Sequence, residues 1–280
     1  VSTHALKMGN LGVVAQQKNN MKPKSNEIIL RPIRANLGVE SAYRKQLKKL
    51  LKEMRADVDS CLQQHYPRGL AQDGLFDGLQ ISLSQLLQYW AVKLGVKAEE
   101  LAEIFIRQSL KHTDNAFQAA LRQENIPTVQ FTMDNHTRAA LQAAMQSNVG
   151  LIRSIGQQYL SRVEQDVWNA VSAGYDLAQL TQTLRNSYGI SERRAAFIAR
   201  DQTNKAKAVI EQARRQALGI TEAIWMHSHA GKTPRPSHVA ANGKRFDIAK
   251  GMYLDGKWIQ PGEEINCRCT SRAVIKGFNA

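Results

Sequence analysis

The chain changes period once, at Gly219–Ile220, and that change constrains the fold more than any other feature. Upstream, apolar residues recur at steps of three and four over stretches poor in Pro and Gly. Downstream, short alternating runs are separated by glycine and proline turns. A 3.6-residue period buries one stripe of a helix, and a two-residue period buries one face of a strand. One chain must therefore build two kinds of core. The expected fold is mainly α: an elongated multi-helix body followed by a small C-terminal α+β module of short strands.

The first stripe is Tyr43, Leu47, Leu50, Leu51, Met54, Val58, Cys61 and Leu62, one face of an amphipathic helix that Pro67-Arg68-Gly69 ends. Cys61 lies on that stripe and reads as a small buried core residue. Helical patterns resume at 81–94, 98–121, 137–174 and 177–188, with Gly95, Pro127, Gly174 and Gly189 as punctuation. A last long helix starts at Ser191, an N-cap candidate, and stops before Gly219, which is placed to be the left-handed residue after its end. Beyond it, 222–227, 246–248, 257–259 and 270–275 read as strands. Residues 27–33 read as extended, because Pro32 keeps Arg31 out of helix. The chain thus divides into a flexible basic arm (1–25), a helical body (26–190) and a C-terminal module (191–280). The module comprises a helix at 191–218 and an α+β part at 222–280.

The formal charge is +14, and within residues 1–50 ten Lys/Arg face only Glu27 and Glu40. Such a field favours partners rich in phosphate or carboxylate and says little about fold. Lys18, Lys22, Lys24, Arg31 and Arg34 are candidate contacts to DNA or to an acidic surface. So are Arg193, Arg194, Arg200, Lys205, Lys207, Arg214 and Arg215 on the last helix. A solvated tail and a wet helix face account for the same charges. Three cysteines make no disulfide framework, which fits a reducing compartment. No run of about 18 apolar residues occurs, so neither a membrane span nor a membrane partner is expected.

The turn-rich end concentrates the unusual chemistry. In an extended segment, Cys267 and Cys269 would point the same way. With His238, His229 and His227 as candidate nitrogen donors they form a candidate zinc set, Cys₂His or Cys₂His₂, since zinc takes thiolate and imidazole in tetrahedral geometry. Two reduced thiols packed in a strand, with His238 bonded in a turn, explain the same residues. Trp225 and Trp258 are expected in the core of the module. An enzymatic reading is also open. His238 near Asn242, with His227 and His229 upstream, is loosely similar to a histidine–asparagine–histidine nuclease site, and His238 could activate a Cys267 or Cys269 nucleophile. The acidic metal ligands of such a nuclease are lacking, because Asp247 and Asp255 have no partner carboxylate nearby.

Several motifs occur in a fixed order: IARDQTNKA (198–206), the Gly219 turn, Trp225, GKTPRPSH (231–238), NGKRFDIAKG (242–251) and W-I-x-P-G-E-x-I-N-C-R-C (258–269). The set resembles the phage Mu F-like head morphogenesis family, the minor head proteins of tailed double-stranded DNA phages. The resemblance is close over 191–275 and looser over the helical body. It implies a virion component of the head interior near the portal vertex, made in the host bacterial cytoplasm. It also implies the portal protein, capsid or scaffold proteins and double-stranded DNA as partners, and no enzymatic activity. Many members carry an aspartate and an extra arginine before Arg-x-x-His. Here His229-Ala230-Gly231-Lys232-Thr233 stands in that place, so no role tied to that acid carries over. The alternatives are a DNA-binding ejection factor that holds the genome end, and a metal-dependent hydrolase or nuclease.

Overall fold

The computed structural model describes residues 27–66, 75–127, 129–174, 176–230 and 233–277. The arm at 1–25, with Lys18, Lys22 and Lys24, lies outside the described residues. Four long helices form the body: α1 (Leu37–His65), α2 (Leu75–Gln123), α3 (Asn135–Ala173) and α4 (Leu177–Ala217). Three of them start on side-chain caps. Asn36, Asp134 and Asp176 each accept a hydrogen bond from the backbone N–H three residues on, at 3.0, 2.6 and 2.8 Å. Each satisfies one of the donors that a helix start leaves without a partner.

Packing decides where the helices run on. α2 and α4 each fuse two segments that glycine was expected to separate. A helical glycine costs about 1 kcal/mol against alanine. Burying one large apolar side chain recovers about 1.5–3 kcal/mol, so an apolar stripe continuing across the glycine wins. Around Gly95 the buried stripe is Trp90, Leu94 and Ala98, and around Gly189 it is Leu184, Ala195 and Ile198. Ser191 therefore caps nothing: its hydroxyl donates back to the Ser187 carbonyl inside α4, at 3.1 Å. The helix runs unbroken through 190 and 191, so body and module share it.

α1 packs on α2 and α4, and α3 packs on the same two helices. Their shared core holds Tyr43, Met54, Trp90, Phe105, Tyr159 and Val163, all at most 1% exposed. Tyr43 stacks on Phe105 with ring centroids 4.1 Å apart, and its hydroxyl donates to Asn148 Oδ1 at 3.1 Å. A buried hydroxyl needs such a partner. Cys61 is half-buried at the edge of the stripe rather than inside the core.

α4 ends where the sequence places it. Gly219 has φ of 69°, and the N–H of Ile220 returns to the Arg215 carbonyl at 2.9 Å. The left-handed residue lets the chain turn back onto the helix end. The module follows, with β2 (Glu222–Met226), the short α5 (Pro236–Ala240), β3 (Arg245–Asp247), β4 (Met252–Leu254), β5 (Lys257–Ile259) and β6 (Thr270–Lys276). One strand comes from the other end of the chain. β1 (Glu27–Ile29) pairs antiparallel with β6, in the register Glu27↔Lys276 to Ile29↔Val274. The segment assigned to the body is thus the edge strand of a four-stranded antiparallel sheet ordered β1-β6-β2-β3. β4 and β5 form a separate hairpin.

A second core lies beneath this sheet. Leu30, Ile33, Trp225, Phe246, Ile248, Cys267 and Cys269 meet Phe117 and Leu121 of α2 there. Trp225 is fully buried, as expected. Trp258 is not: it is 58% exposed on the β4–β5 hairpin and packs edge-on against Tyr253, itself exposed. In the three-residue strand β5 only Ile259 faces the core, and alternation turns Trp258 outward.

Candidate metal centre

The module joins α4 through buried polar groups. Arg214 makes a two-bond fork with Asp114 of α2, both bonds at 2.9 Å, and also donates to the Thr132 carbonyl at 2.6 Å. One turn away, Glu211 sits between Lys207 and Arg215, with all three side chains no more than 5% exposed. Lys207 Nζ is 3.1 Å from Glu211 and donates to Thr270 Oγ1 at 3.0 Å. Arg215 bonds Glu211 and also Ser271, through its hydroxyl at 2.7 Å and its carbonyl at 3.2 Å. Thr270 Oγ1 in turn donates to the Ile33 carbonyl at 2.7 Å. α4, β6 and the N-terminal segment are thereby held at one point.

This placement corrects part of the charge reading. Lys207, Arg214 and Arg215 were candidates for contact with DNA or an acidic surface, but they are buried in internal ion pairs. Helical spacing puts Lys207 and Arg215 on the α4 face that meets β6 and Arg214 against α2, and a buried cation persists only when paired. Lys205 pairs with Asp201 at 3.0 Å, and half-buried Arg194 donates to Ser154 Oγ at 3.3 Å. Arg31, Arg34 and Arg193 are exposed, and Arg200 is half-buried.

Asp201 has a second task. Its Oδ1 accepts the N–H of Asn266 at 2.5 Å, fixing the loop that precedes Cys267. Asn266 has φ of 59°, a left-handed conformation that asparagine tolerates better than most residues. The loop then delivers Cys267 and Cys269 to one side, and α5 delivers His238 from the other, with Pro236 in its first turn.

His238, Cys267 and Cys269 converge with their ligand atoms all within 4.8 Å of one another. His238 Nδ1 is 3.5 Å from Cys267 Sγ and 3.8 Å from Cys269 Sγ. The other ring nitrogen, Nε2, is 3.0 Å from a Glu264 carboxylate oxygen. The Trp225 ring meets the imidazole edge-on at 5.3 Å. All three donor side chains are buried. Glu264 also pairs with Lys257 at 2.5 Å and Arg235 at 3.2 Å. Those cations, Lys257 foremost, hold its carboxyl below the ordinary range, so it stays charged beside the ring. Cys269 donates to Cys267, which lowers the Cys267 pKa, and the backbone N–H groups of Cys269 and Gly262 lower it further. Cys269, as donor and buried, moves in the opposite direction.

Two sulfurs and an imidazole nitrogen suit zinc, and a carboxylate on the distal ring nitrogen is the usual orienting partner of a metal-bound histidine. His229, named among the ligands from sequence, does not join the cluster. It has φ of 51°, is exposed, and packs its ring against His227 at 4.7 Å. Glu264 and Asp201 were missed. Glu264 stands at an unspecified position of the W-I-x-P-G-E-x-I-N-C-R-C motif. The available signal was its place three residues before Cys267, whose N–H bonds the Glu264 carbonyl at 2.9 Å.

Residues 161–272 match the family model described as Phage Mu protein F like protein. That stretch is Mu F-like. It contains the last third of α3, all of α4, the buried Lys207–Glu211–Arg215 group and the whole cysteine–histidine cluster. A protein of Haemophilus influenzae described as uncharacterized is 28% identical over 263 residues. That similarity covers 91% of this chain, and the chain spans 57% of the length of that relative. No solved structure matches. Among the described residues, no helix is long and apolar enough to cross a membrane.

Proposed function

We propose that this protein is a minor head protein, a structural component that binds the portal and the capsid interior and sits inside the virion head near the portal vertex. The observation that carries this reading is the Mu F-like match over 161–272, which spans the helix and module that the polar groups lock together. The long helices offer extended faces to capsid, scaffold or portal subunits. The reading is of an assembly role, not of a catalyst. Protease treatment of intact DNA-filled heads tests it. A head protein is protected until the particle is opened, whereas a protein absent from purified heads sinks the proposal.

Contact with packaged double-stranded DNA is the second part of the reading. The charge of +14 and the exposed Arg31, Arg34 and Arg193 support it. Phosphate contact needs no base reading, and its affinity falls steeply with salt as counterions are released. Duplex binding measured between about 50 and 200 mM salt should weaken steeply and flatten in an Arg31→Gln, Arg34→Gln variant. Negligible affinity at low salt would remove DNA, and the ejection-factor alternative with it, and leave the head role standing.

Zinc is proposed as the staple of the module, held by Cys267, Cys269 and His238. When bound it would supply a fixed crosslink between α5 and the start of β6. The burial of all three donors favours this structural role over a thiol nucleophile or a nuclease, either of which needs substrate access. Elemental mass spectrometry of protein purified without chelator should find one zinc per chain, lost in Cys267→Ser and in Cys269→Ser. Metal-free protein from zinc-supplemented cells would refute it.

A further inference from the structure

A cleft of about 670 Å³ opens between the segment entering α1, the middle of α4 and the loops that flank β2 and β6. Arg34, Arg200, Arg268 and Arg272 line it, together with His227 and His229. Glu40 is the one carboxylate among its described lining residues.

Among the described residues, none of the four guanidinium groups is paired with a carboxylate. Arg272 donates to the Leu30 and Ile29 carbonyls at 3.1 and 3.3 Å. Arg200 donates to the Asn266 side-chain oxygen at 3.3 Å, and its Nε is buried without a partner. Arg34 and Arg268 make no hydrogen bond or ion pair with any described residue. The contrast within the fold is sharp: Lys207, Arg214 and Arg215 on α4, the helix that also carries Arg200, each have an acidic partner. Like charges gathered in a cleft with protein walls repel one another and concentrate their field toward its interior. An anion entering the cleft relieves that repulsion. Guanidinium forks match the oxygens of phosphate with two parallel bonds. The volume lies in the range of small-ligand sites, about 300–1,000 Å³.

We propose that this cleft binds a phosphate-bearing ligand of nucleotide size, either a polyphosphate or a short run of phosphodiesters. The site goes beyond the head-assembly reading; Arg34 is common to it and to the proposed duplex contact, whereas Arg200, Arg268 and Arg272 belong to the cleft alone.

Calorimetric titration of the full chain at low salt tests the proposal, with inorganic pyrophosphate and a four-residue oligothymidylate as probes. Arg34→Gln and Arg268→Gln remove side chains with no internal bonds, so the double variant should keep its thermal midpoint. Arg193→Gln is the control, exposed and outside the cleft. Each cleft substitution should weaken binding by about tenfold or more, and the control should not. Pyrophosphate binding with oligothymidylate binding points to phosphate recognition in general, and oligothymidylate binding alone points to nucleic acid. The proposal fails if neither probe binds, if the double variant binds as well as wild type, if Arg193→Gln loses as much, or if a tetraglutamate peptide competes equally.

Discussion

Replacing Glu211 with alanine should destabilise the protein strongly, and structural context sets the size. Glu211 is 2% exposed and is the acidic partner of both Lys207 and Arg215. Burial already pushes the Arg215 guanidinium below its ordinary range, and Glu211 opposes that shift. Without the carboxylate, two cations stay buried against the neutral oxygens of Thr270 and Ser271. Breaking a buried ion group by removing one partner costs about 3–5 kcal/mol. In a chain of this size that corresponds to a midpoint lower by roughly 6–20 °C. Urea unfolding followed by far-ultraviolet dichroism and by tryptophan fluorescence measures it. Lys48→Ala, which breaks the exposed Lys48–Glu192 pair at 3.3 Å, should change stability by about 1 kcal/mol or less. The triple variant Lys207→Met, Glu211→Leu, Arg215→Met should regain most of the loss, because it leaves no unpaired charge in the interior. A change below about 1 kcal/mol for Glu211→Ala would refute the view that this group locks α4 to the sheet.

Three further outcomes are expected. Glu264→Gln should weaken zinc binding about 10- to 100-fold in a chelator competition, since the carboxylate on His238 Nε2 would be lost; unchanged affinity would mean that the contact orients nothing. Gly251→Ala should lower the thermal midpoint, because φ is 85° and an added Cβ would lie 2.5 Å from the Ile259 carbonyl oxygen; a neutral result would contradict that approach. Lys276 first, then Arg245, hold the Glu222 carboxyl below its ordinary range. Its folded-state pKa is therefore depressed, so its contribution is present above the unfolded pKa and lost as pH falls through the folded value. The stability gap between wild type and Glu222→Gln should close on acidification from about pH 6 to about pH 3, and a gap that stays constant would exclude this pairing.

Much of the fold was legible because period reports burial directly. The Tyr43–Leu62 stripe, the Gly219 stop and the strand at 257–259 are where the sequence puts them. What was not legible depends on distant partners. Gly95 and Gly189 read as breaks because only the neighbouring helices reveal that the stripe continues across them. Glu27–Ile29 read as part of the body, because pairing with residues almost 250 positions away leaves no local trace. The same holds at the site. Cys267, Cys269 and His238 were nameable by chemistry, and the fold brings them together. His229 was nameable by the same chemistry, yet its turn carries it outside. Lys207, Arg214 and Arg215 looked like surface cations because a sequence shows charge but not the carboxylate it meets. Trp258 looked like core because size suggests burial, while strand alternation decides it.

The β1–β6 pairing has a mechanical consequence. The start of β1 lies opposite the end of β6, at Glu27↔Lys276, so both flanks of the described chain depart from one corner of the sheet. A load applied between those flanks pulls across the strands rather than along them, and it meets the ladder one rung at a time. The edge strand peels first, from Glu27 toward Ile29, before the load reaches the helices or the cysteine–histidine cluster. Tension on the chain would then be felt as release of the N-terminal strand, with the rest of the module intact.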